Sequence, residues 1–380
     1  VIYGTGLLAL DVLYPNDSDG IQRQWAGGTC ANVLAVLSYL GWRSFPVARL
    51  ADDVAGRQVC ADLSVWNVHL DHAHESPTAS TPVFVELLSN RVGRVTTHRF
   101  TSRCPGCGSR FPPFQPITVA AAARVAAKVT SIDVLFMDRV SPGILLLAEE
   151  CRRKGALVVF EPSGIGDVAQ FEAALSISHI AKCSFERLGS AFEGITVPTR
   201  RVEIVTLGSK GLRMRSGFNS HQCPEWEHFP GLTIAEVTDA AGAGDWFTAG
   251  LIHSLGSGGS TSLTEASGER LRAAVRLGQA LAAWNCGFQG ARSGMYQISP
   301  QALETQIGKL DGRPGDYRRS RSRCETRLAA GHSSPEPSSI IHMDSATHLA
   351  TNQFSSWYMA PTEAYVGDLQ VQYLCSTCAG

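Results

Sequence analysis

Short apolar runs alternate with segments of helical period along most of the chain, and this alternation limits the fold more than any other feature. The runs include VIYGTGLLAL (1–10), DVLFMD (133–138), ALVVFEP (156–162), HIAKCS (179–184) and VEIVTLG (202–208). Between and after them come CANVLAVLSYLG (30–41), GILLLAEECRRKG (143–155) and LRAAVRLGQALAAWNCG (271–287). In the first of these Val33, Val36, Leu37 and Leu40 share one helical face, and Gly41 supplies a stop. Strands that are apolar throughout and separated by helices predict an α/β fold, a parallel sheet covered on its faces. One segment departs from the pattern: TPVFVELL (81–88) and RVTTHRF (94–100) alternate at period two around SNRVG, which predicts an antiparallel hairpin outside the main sheet. After about residue 312 the composition turns to Arg, Ser, Pro and Gly, as in a linker, and the last forty residues show no clear period. The expected organisation is one domain over 1–312 with an insertion at about 77–112, then a linker and extension over 313–380.

Bulk properties exclude several classes. The chain has 380 residues, 44% hydrophobic and 18% charged, with a formal net charge of −1, so no basic field recruits nucleic acid or an anionic membrane. The opening residues are apolar but lack a basic leader and a cleavage-type small-residue site, and they read as a buried strand. No apolar stretch reaches the length of a membrane span. Eleven cysteines do not by themselves argue for secretion, since most are scattered singly. The expected compartment is the cytoplasm.

The chemistry concentrates in VTDAAGAGDWFTAGL (237–251). Strand-like IAEVT runs into DAAGAGD, and WFTAGLIHSLG leaves as a helix, so Gly242, Ala243 and Gly244 are predicted at a helix N-terminus. Backbone N–H groups there lack partners and the helix dipole favours an anion. With almost no side chains in the way, a phosphate can come up against those amides. Asp245, in the first turn, is placed to accept a proton from a hydroxyl attacking that phosphate, a role typically worth about 10²–10⁴ in rate. The plainer reading is a Gly-rich strand-to-helix turn with a dipole-favoured Asp. A second Gly pair, Gly27 and Gly28, precedes a helix carrying Asn32 one turn in, and Asp11 is predicted to end the first strand. In a parallel sheet these strand ends meet at one edge, where ligands bind.

These features together resemble the ribokinase-like carbohydrate kinases, the family also called PfkB. Its N-terminal Gly-Gly signature corresponds to AGGTCANVLAVLSYLG, and its Asp-Thr-x-Gly-Ala-Gly-Asp signature to DAAGAGD. ARLADDVAGRQV and VEIVTLGSKGLRMR stand at the expected places, and the resemblance covers about residues 1–312. It implies a three-layer fold with a mostly parallel central sheet and a small β lid, with a C-terminal extension beyond. It also implies an ATP-dependent kinase acting with Mg²⁺ on a hydroxyl of a sugar or nucleoside. Asp245 then corresponds to the catalytic base and Gly242, Ala243 and Gly244 to the anion hole. Asp11, Gly28, Asn32 and Asp239 correspond to the acceptor site. Thr206, Gly208 and Gly211 line the nucleotide, with Asn285 near the adenine. The 81–100 hairpin belongs to the lid, which closes over the acceptor and often pairs subunits as a homodimer. Two departures stand out. Cys183 occupies the position of the family's Asn in an Asn-x-x-Glu motif that organises Mg²⁺, leaving Glu186 alone, and Ala240 replaces the signature Thr.

Rival motifs are weaker. GTGLLA matches a loose dinucleotide fingerprint through Gly4, Gly6 and Ala9, yet residues 21–51 carry no Asp or Glu for a ribose. No Walker-type phosphate loop occurs. CPGCG and CSTC are C-x-x-C pairs whose Cys104, Cys107, Cys375 and Cys378 could close a structural Zn²⁺ site. Nothing in the spacing joins them, and a redox pair or unrelated thiols remain alternatives. RRSRSR (318–323) lacks interleaved aromatics and reads as a solvated linker, with no nucleic-acid partner implied. Asp138 and Arg139 end another strand, and an ion pair between them is preferred to recognition of an acceptor's anion. A second functional class is a catalytically weak, kinase-derived binding or regulatory protein that uses its cysteine-bearing tail to contact a partner.

Overall fold

A computed structural model describes residues 1–14, 23–74, 79–89, 97–193, 201–218, 225–234 and 236–310. The extension from 311 onward, with Cys375 and Cys378, lies outside the described residues, as does most of the SNRVG turn. By its contacts the chain divides into two units after Met295.

The larger unit contains two sheets. Its elements run β1 (Ile2–Thr5), β2 (Ala9–Tyr14), β3 (Arg23–Gly27), α1 (Thr29–Tyr39), β4 (Ser44–Pro46), α2 (Val54–Val65), β5 (Val83–Ser89) and β6 (Thr97–Thr101). Then follow α3 (Val119–Lys128), β7 (Val134–Met137), α4 (Pro142–Arg153), β8 (Leu157–Phe160), α5 (Val168–Ile177), β9 (Ile180–Ser184) and α6 (Phe185–Glu193). The series continues with β10 (Val202–Thr206), β11 (Leu212–Ser216), β12 (Glu227–Phe229), α7 (Ala243–Leu255), α8 (Gly259–Thr264) and α9 (Gly268–Asn285). In the second unit the described residues hold α10 (Pro300–Leu310).

The main sheet has the order β12-β11-β10-β9-β8-β7-β1-β4. β4, β1, β7, β8, β9 and β10 run parallel, and β11 and β12 add an antiparallel edge. Each parallel strand is apolar because helices cover both faces. Ile144 and Leu147 of α4 and Phe171 and Leu175 of α5 meet Leu135, Val158 and Phe160 of the sheet on one side. Helix starts follow local chemistry: Asp53, Thr118, Ser141, Asp167 and Ser267 each cap a helix by accepting from the amide three residues on.

The second sheet, order β3-β2-β5-β6, is the lid. It corrects the sequence reading in two ways. The apolar stretch 1–10 is two strands in different sheets, β1 in the main sheet and β2 in the lid, so Asp11 sits inside β2, paired with Trp25, instead of ending the first strand. The predicted hairpin β5–β6 is antiparallel as expected, but β2 joins it in parallel and β3 extends it. Gly6 bends the chain between β1 and β2 at φ 148°, where a Cβ would lie 1.6 Å from Asp138 Oδ1. A strand, not a helix, therefore follows the GTG, which removes the dinucleotide reading. IAEVT forms no strand over its described residues; the amides of Thr238 and Asp239 donate instead to the Cys286 carbonyl at 2.8 and 3.2 Å.

Candidate active site

The carboxyl ends of β1, β7, β8, β9 and β10 share one edge of the main sheet, and the N-termini of α1 and α7 stand with them. Gly242 caps α7 at φ 72°, in the left-handed region, without a side-chain cap for the first amides. A Cβ on Gly242 would lie 2.3 Å from the Ala291 carbonyl oxygen, so backbone geometry and space both demand glycine. Gly244 is exposed, and a Cβ there would meet the Lys182 Nζ at 3.3 Å.

Asp239 and Asn285 hold this turn from behind. Asp239 is buried, its Oδ1 accepting from the Ala241 amide at 2.7 Å and its Oδ2 from the Gly290 amide at 2.6 Å. Asn285 is fully buried at the end of α9, and its Nδ2 donates to the Ala241 carbonyl at 2.8 Å. Asp239 was expected at the acceptor and Asn285 at the adenine. Here both hold the DAAGAGD backbone, because an irregular turn at a buried helix start must satisfy its polar groups internally, while the Asn285 Oδ1 has no hydrogen-bond partner among the described residues.

Asp245, in the first turn of α7, is 9% exposed, and its Oδ2 accepts from Asn32 Nδ2 at 2.6 Å. Burial pushes its carboxyl up to about 7, with Glu161 raising it further, while the Asn32 bond, Lys182 and Arg187 act the other way. Asp11 faces the same region from the lid and is likewise pushed up to about 7, first by burial and then by Glu86. Arg292 and a hydrogen bond with the Gly28 backbone lower it, and the Asp245 charge raises it. The space for the Asp11 carboxylate is made by Gly27, where a Cβ would fall 1.9 Å from its Cγ. Gly28 caps α1 at φ 87°, pressed against the Leu7 carbonyl.

Two buried ionic clusters flank Asp245, and sequence reading missed both. Under the α7 turn, Lys182 Nζ pairs with Glu161 and donates to the Gly244 carbonyl at 2.8 Å and Thr248 Oγ1 at 3.0 Å. Thr248 in turn donates to Glu161 Oε2 at 2.6 Å. Lys182 is legible in retrospect, as a charge in the middle of a strand that is otherwise buried, and Thr248 lies three residues from Asp245 on one helix face. On the other side Arg292, 1% exposed, donates through Nε to Asn32 Oδ1 at 2.9 Å and through Nη2 to Asp62 Oδ2 at 2.7 Å. Nothing in the spacing announced that pair.

The remaining expected residues fall as follows. Thr206 ends β10, and Gly208 and Gly211 frame the short 3₁₀ turn to β11, both at positive φ. Glu186 is exposed in the first turn of α6. Cys183, set against the family's Asn, faces the apolar core, because strand alternation turns it away from the side carrying Lys182. Burial pushes its thiol up to about 12. Arg139 pairs with Asp138 at 3.0 Å, as preferred. Cys104 is buried and Cys107 exposed in a turn closed by Gly108 N–H to the Cys104 carbonyl. Among the described residues no group of three or more His, Cys, Asp or Glu could hold a metal, so the zinc expectation finds no support there. Among the same residues no helix is long and apolar enough to cross a membrane.

Comparison with known proteins bears on the fold and the family. No curated protein sequence matches the chain. Among solved structures it is similar to a fructokinase from Vibrio cholerae O395 bound to fructose, ADP and calcium, with a TM-score of 0.59 at 19% identity, covering 80% of this chain and 98% of that one. It is also similar to aminoimidazole riboside kinase from Salmonella enterica with aminoimidazole riboside and an ATP analog (TM-score 0.57, 17% identity, 81% and 99% covered). A Burkholderia thailandensis nucleoside kinase in complex with inosine gives 0.57 at 16% identity, with 82% and 98% covered. At such identities these likenesses establish the fold. The family itself is fixed by a match of residues 20–297 to the model of the pfkB family carbohydrate kinases, and the chain belongs to that family.

Proposed function

We propose that the protein transfers the γ-phosphoryl group of ATP to a hydroxyl of a sugar or nucleoside. One observation carries the reading: a buried carboxylate, Asp245, sits in the first turn of α7 beside an N-terminus that no side chain caps, with Asn32 donating to it at 2.6 Å. Asp245 takes the proton of the attacking hydroxyl, and the amides of Gly242, Ala243 and Gly244 receive the phosphoryl oxygens. Asp11 and the Gly28 backbone orient acceptor hydroxyls from the lid side. Thr206, Gly208 and Gly211 lie along the edge where the nucleotide extends. Closure of the lid sheet excludes water from the transfer.

The family's Mg²⁺ suits these residues as an ion carried largely by the nucleotide phosphates, which need only one or two protein carboxylates. Glu186 supplies an exposed carboxylate at the same sheet edge. When bound, the ion neutralises the charge of the transferring group. Purified protein with ATP and Mg²⁺ is expected to release ADP only when a suitable sugar or nucleoside is added. Asp245→Asn is expected to lower kcat by about 10²–10⁴, the usual worth of a general base, with nucleotide affinity nearly unchanged. Unaltered turnover in that variant, or no acceptor-dependent ADP across a broad panel, overturns the reading; tight acceptor binding without transfer then favours a binding or regulatory protein.

A further inference from the structure

Arg292 lies in the loop after α9, is 1% exposed, and belongs to none of the roles above. Its fork spans three elements. Nε donates to Asn32 Oδ1 on α1 at 2.9 Å, and Nη2 donates to Asp62 Oδ2 on α2 at 2.7 Å and to the Ala26 carbonyl in β3. The Ala26 amide donates to the same Asp62 oxygen at 2.8 Å, so the peptide at the end of the lid strand is gripped at both its N–H and its C=O.

A guanidinium donates and never accepts, whereas an Asn side chain carries one accepting and one donating end. With Oδ1 turned to Arg292, the donating end of Asn32 has to face Asp245. We infer that Arg292 is a positioning residue: it locks the Asn32 amide with its N–H₂ toward Asp245 and, through Ala26, ties that orientation to the end of the lid strand β3. The inference rests on the reading of Asp245 as the base. Released from Arg292, the Asn32 amide is free to rotate, and its oxygen turned toward a carboxylate repels it.

The consequence for titration has a definite sign. Facing Asp245 are Asn32 from α1, Glu161 after β8, Lys182 from β9, Arg187 from α6 and Asp11 from β2; Asn32, Lys182 and Arg187 favour the ionised form, and Glu161 and the Asp11 charge oppose it. Arg292 also favours ionised Asp11 directly, against Glu86 and Asp245. Loss of the guanidinium therefore moves both carboxyls upward.

The test uses the full chain with Arg292→Met and Arg292→Lys, each checked for folding by circular dichroism. The acid limb of kcat/KM, read by acceptor-dependent ADP release, is expected to move up by about one to two pH units in R292M, the worth of one hydrogen bond to an ionised group. R292K, which keeps a charge but cannot span the three acceptors, is expected to fall between. Asn32→Ala should reproduce the R292M shift, and the double variant should add little, because the two act in one chain. A readout that needs no turnover is the pH dependence of Tm in wild type, R292M, D245N and the double variant. There R292M should leave the onset of the D245N difference near pH 4, raise the pH at which that difference levels off, and enlarge it above that pH. A limb unmoved in both Arg292 variants, with only a lowered Tm, overturns the inference. Failure of R292M to fold leaves R292K and N32A to decide it. Absence of ADP release with every acceptor defeats the kinase reading, while the stability comparison still judges the Arg292–Asn32–Asp245 coupling by itself.

Discussion

The two Gly-rich helix starts, at α1 and at α7, look alike as sequence and divide their work in the same way. At each, one glycine serves the backbone: Gly28 and Gly242 both sit at positive φ as helix caps, and a Cβ would strike a carbonyl oxygen at 2.4 Å from Leu7 and 2.3 Å from Ala291. The other glycine serves the site, and here the turns differ. Gly27 makes room for a carboxylate of the protein itself, Asp11, whereas Gly244 is exposed, with the side-chain ends of Lys182 and Glu161 at 3.3 and 3.8 Å from its missing Cβ and no backbone atom outside its own helix as near. In the proposed function the α1 turn positions a protein group that grips hydroxyls, and the α7 turn presents peptide donors, without a side-chain cap, to an anion. A glycine motif is thus two separate physical demands joined in sequence.

The largest effects come from the carboxylates that the two turns hold. In its proposed role as base, Asp245, with its carboxyl near 7, must be ionised to act, so kcat/KM is expected to fall as pH drops through about 7, well above the ordinary Asp range. Stability runs the other way. The folded-state value lies above the unfolded one, so Asp245 weakens the fold increasingly as pH rises from about 4 to about 7, by a few kcal/mol at about 1.4 kcal/mol per unit. Asp245→Asn should therefore be more stable than wild type at pH 8 and equal to it near pH 4, measured by chemical denaturation. Equal stability at both pH values breaks the claim that the α7 turn holds a strained carboxylate. Next come the backbone glycines. Gly28→Ala and Gly242→Ala each combine left-handed strain with overpacking against a carbonyl and should cost about 2–4 kcal/mol. A melt within a degree of wild type for either variant would sink the shared-cap argument.

The parallel sheet, the lid hairpin and the α7 turn were legible because each rests on a local signal: apolar strands, period-two alternation, small residues ahead of a helix. The lid's other half was not, since β2 and β3 pair through contacts that no local period encodes, and the break at Gly6 is set by Asp138 more than a hundred residues away. Asp245 and Asn32 could be singled out because the small residues beside them mark a helix start. Asp239 could be singled out, but its two backbone bonds could not be read: a carboxylate beside a glycine turn looks the same whether or not it also holds backbone amides. Lys182 and Glu161 escaped because each is a single charge at a strand end or inside a strand, and only the fold shows that they face α7. Arg292 escaped entirely, for its partners come from α1, α2 and β3, three segments with no common spacing.

The smallest effects on the fold separate the two site-facing glycines. Gly27→Ala forces the Asp11 carboxylate aside, but a side-chain end can move where a carbonyl cannot, so the stability cost should be about 1 kcal/mol or less. KM for the acceptor should rise about tenfold, matching the loss of one charge-assisted hydrogen bond. Gly244→Ala is the sharper case. In the first turn of a helix, Ala is favoured over Gly by up to about 1 kcal/mol, so the variant should melt at or slightly above the wild-type temperature. Yet its methyl group stands beside the amides assigned to the phosphoryl group, and kcat should fall about tenfold or more with acceptor KM little changed. A variant that is both as stable and as active as wild type would show that the opening at Gly244 admits nothing, and the contrast between the two turns would then reduce to packing.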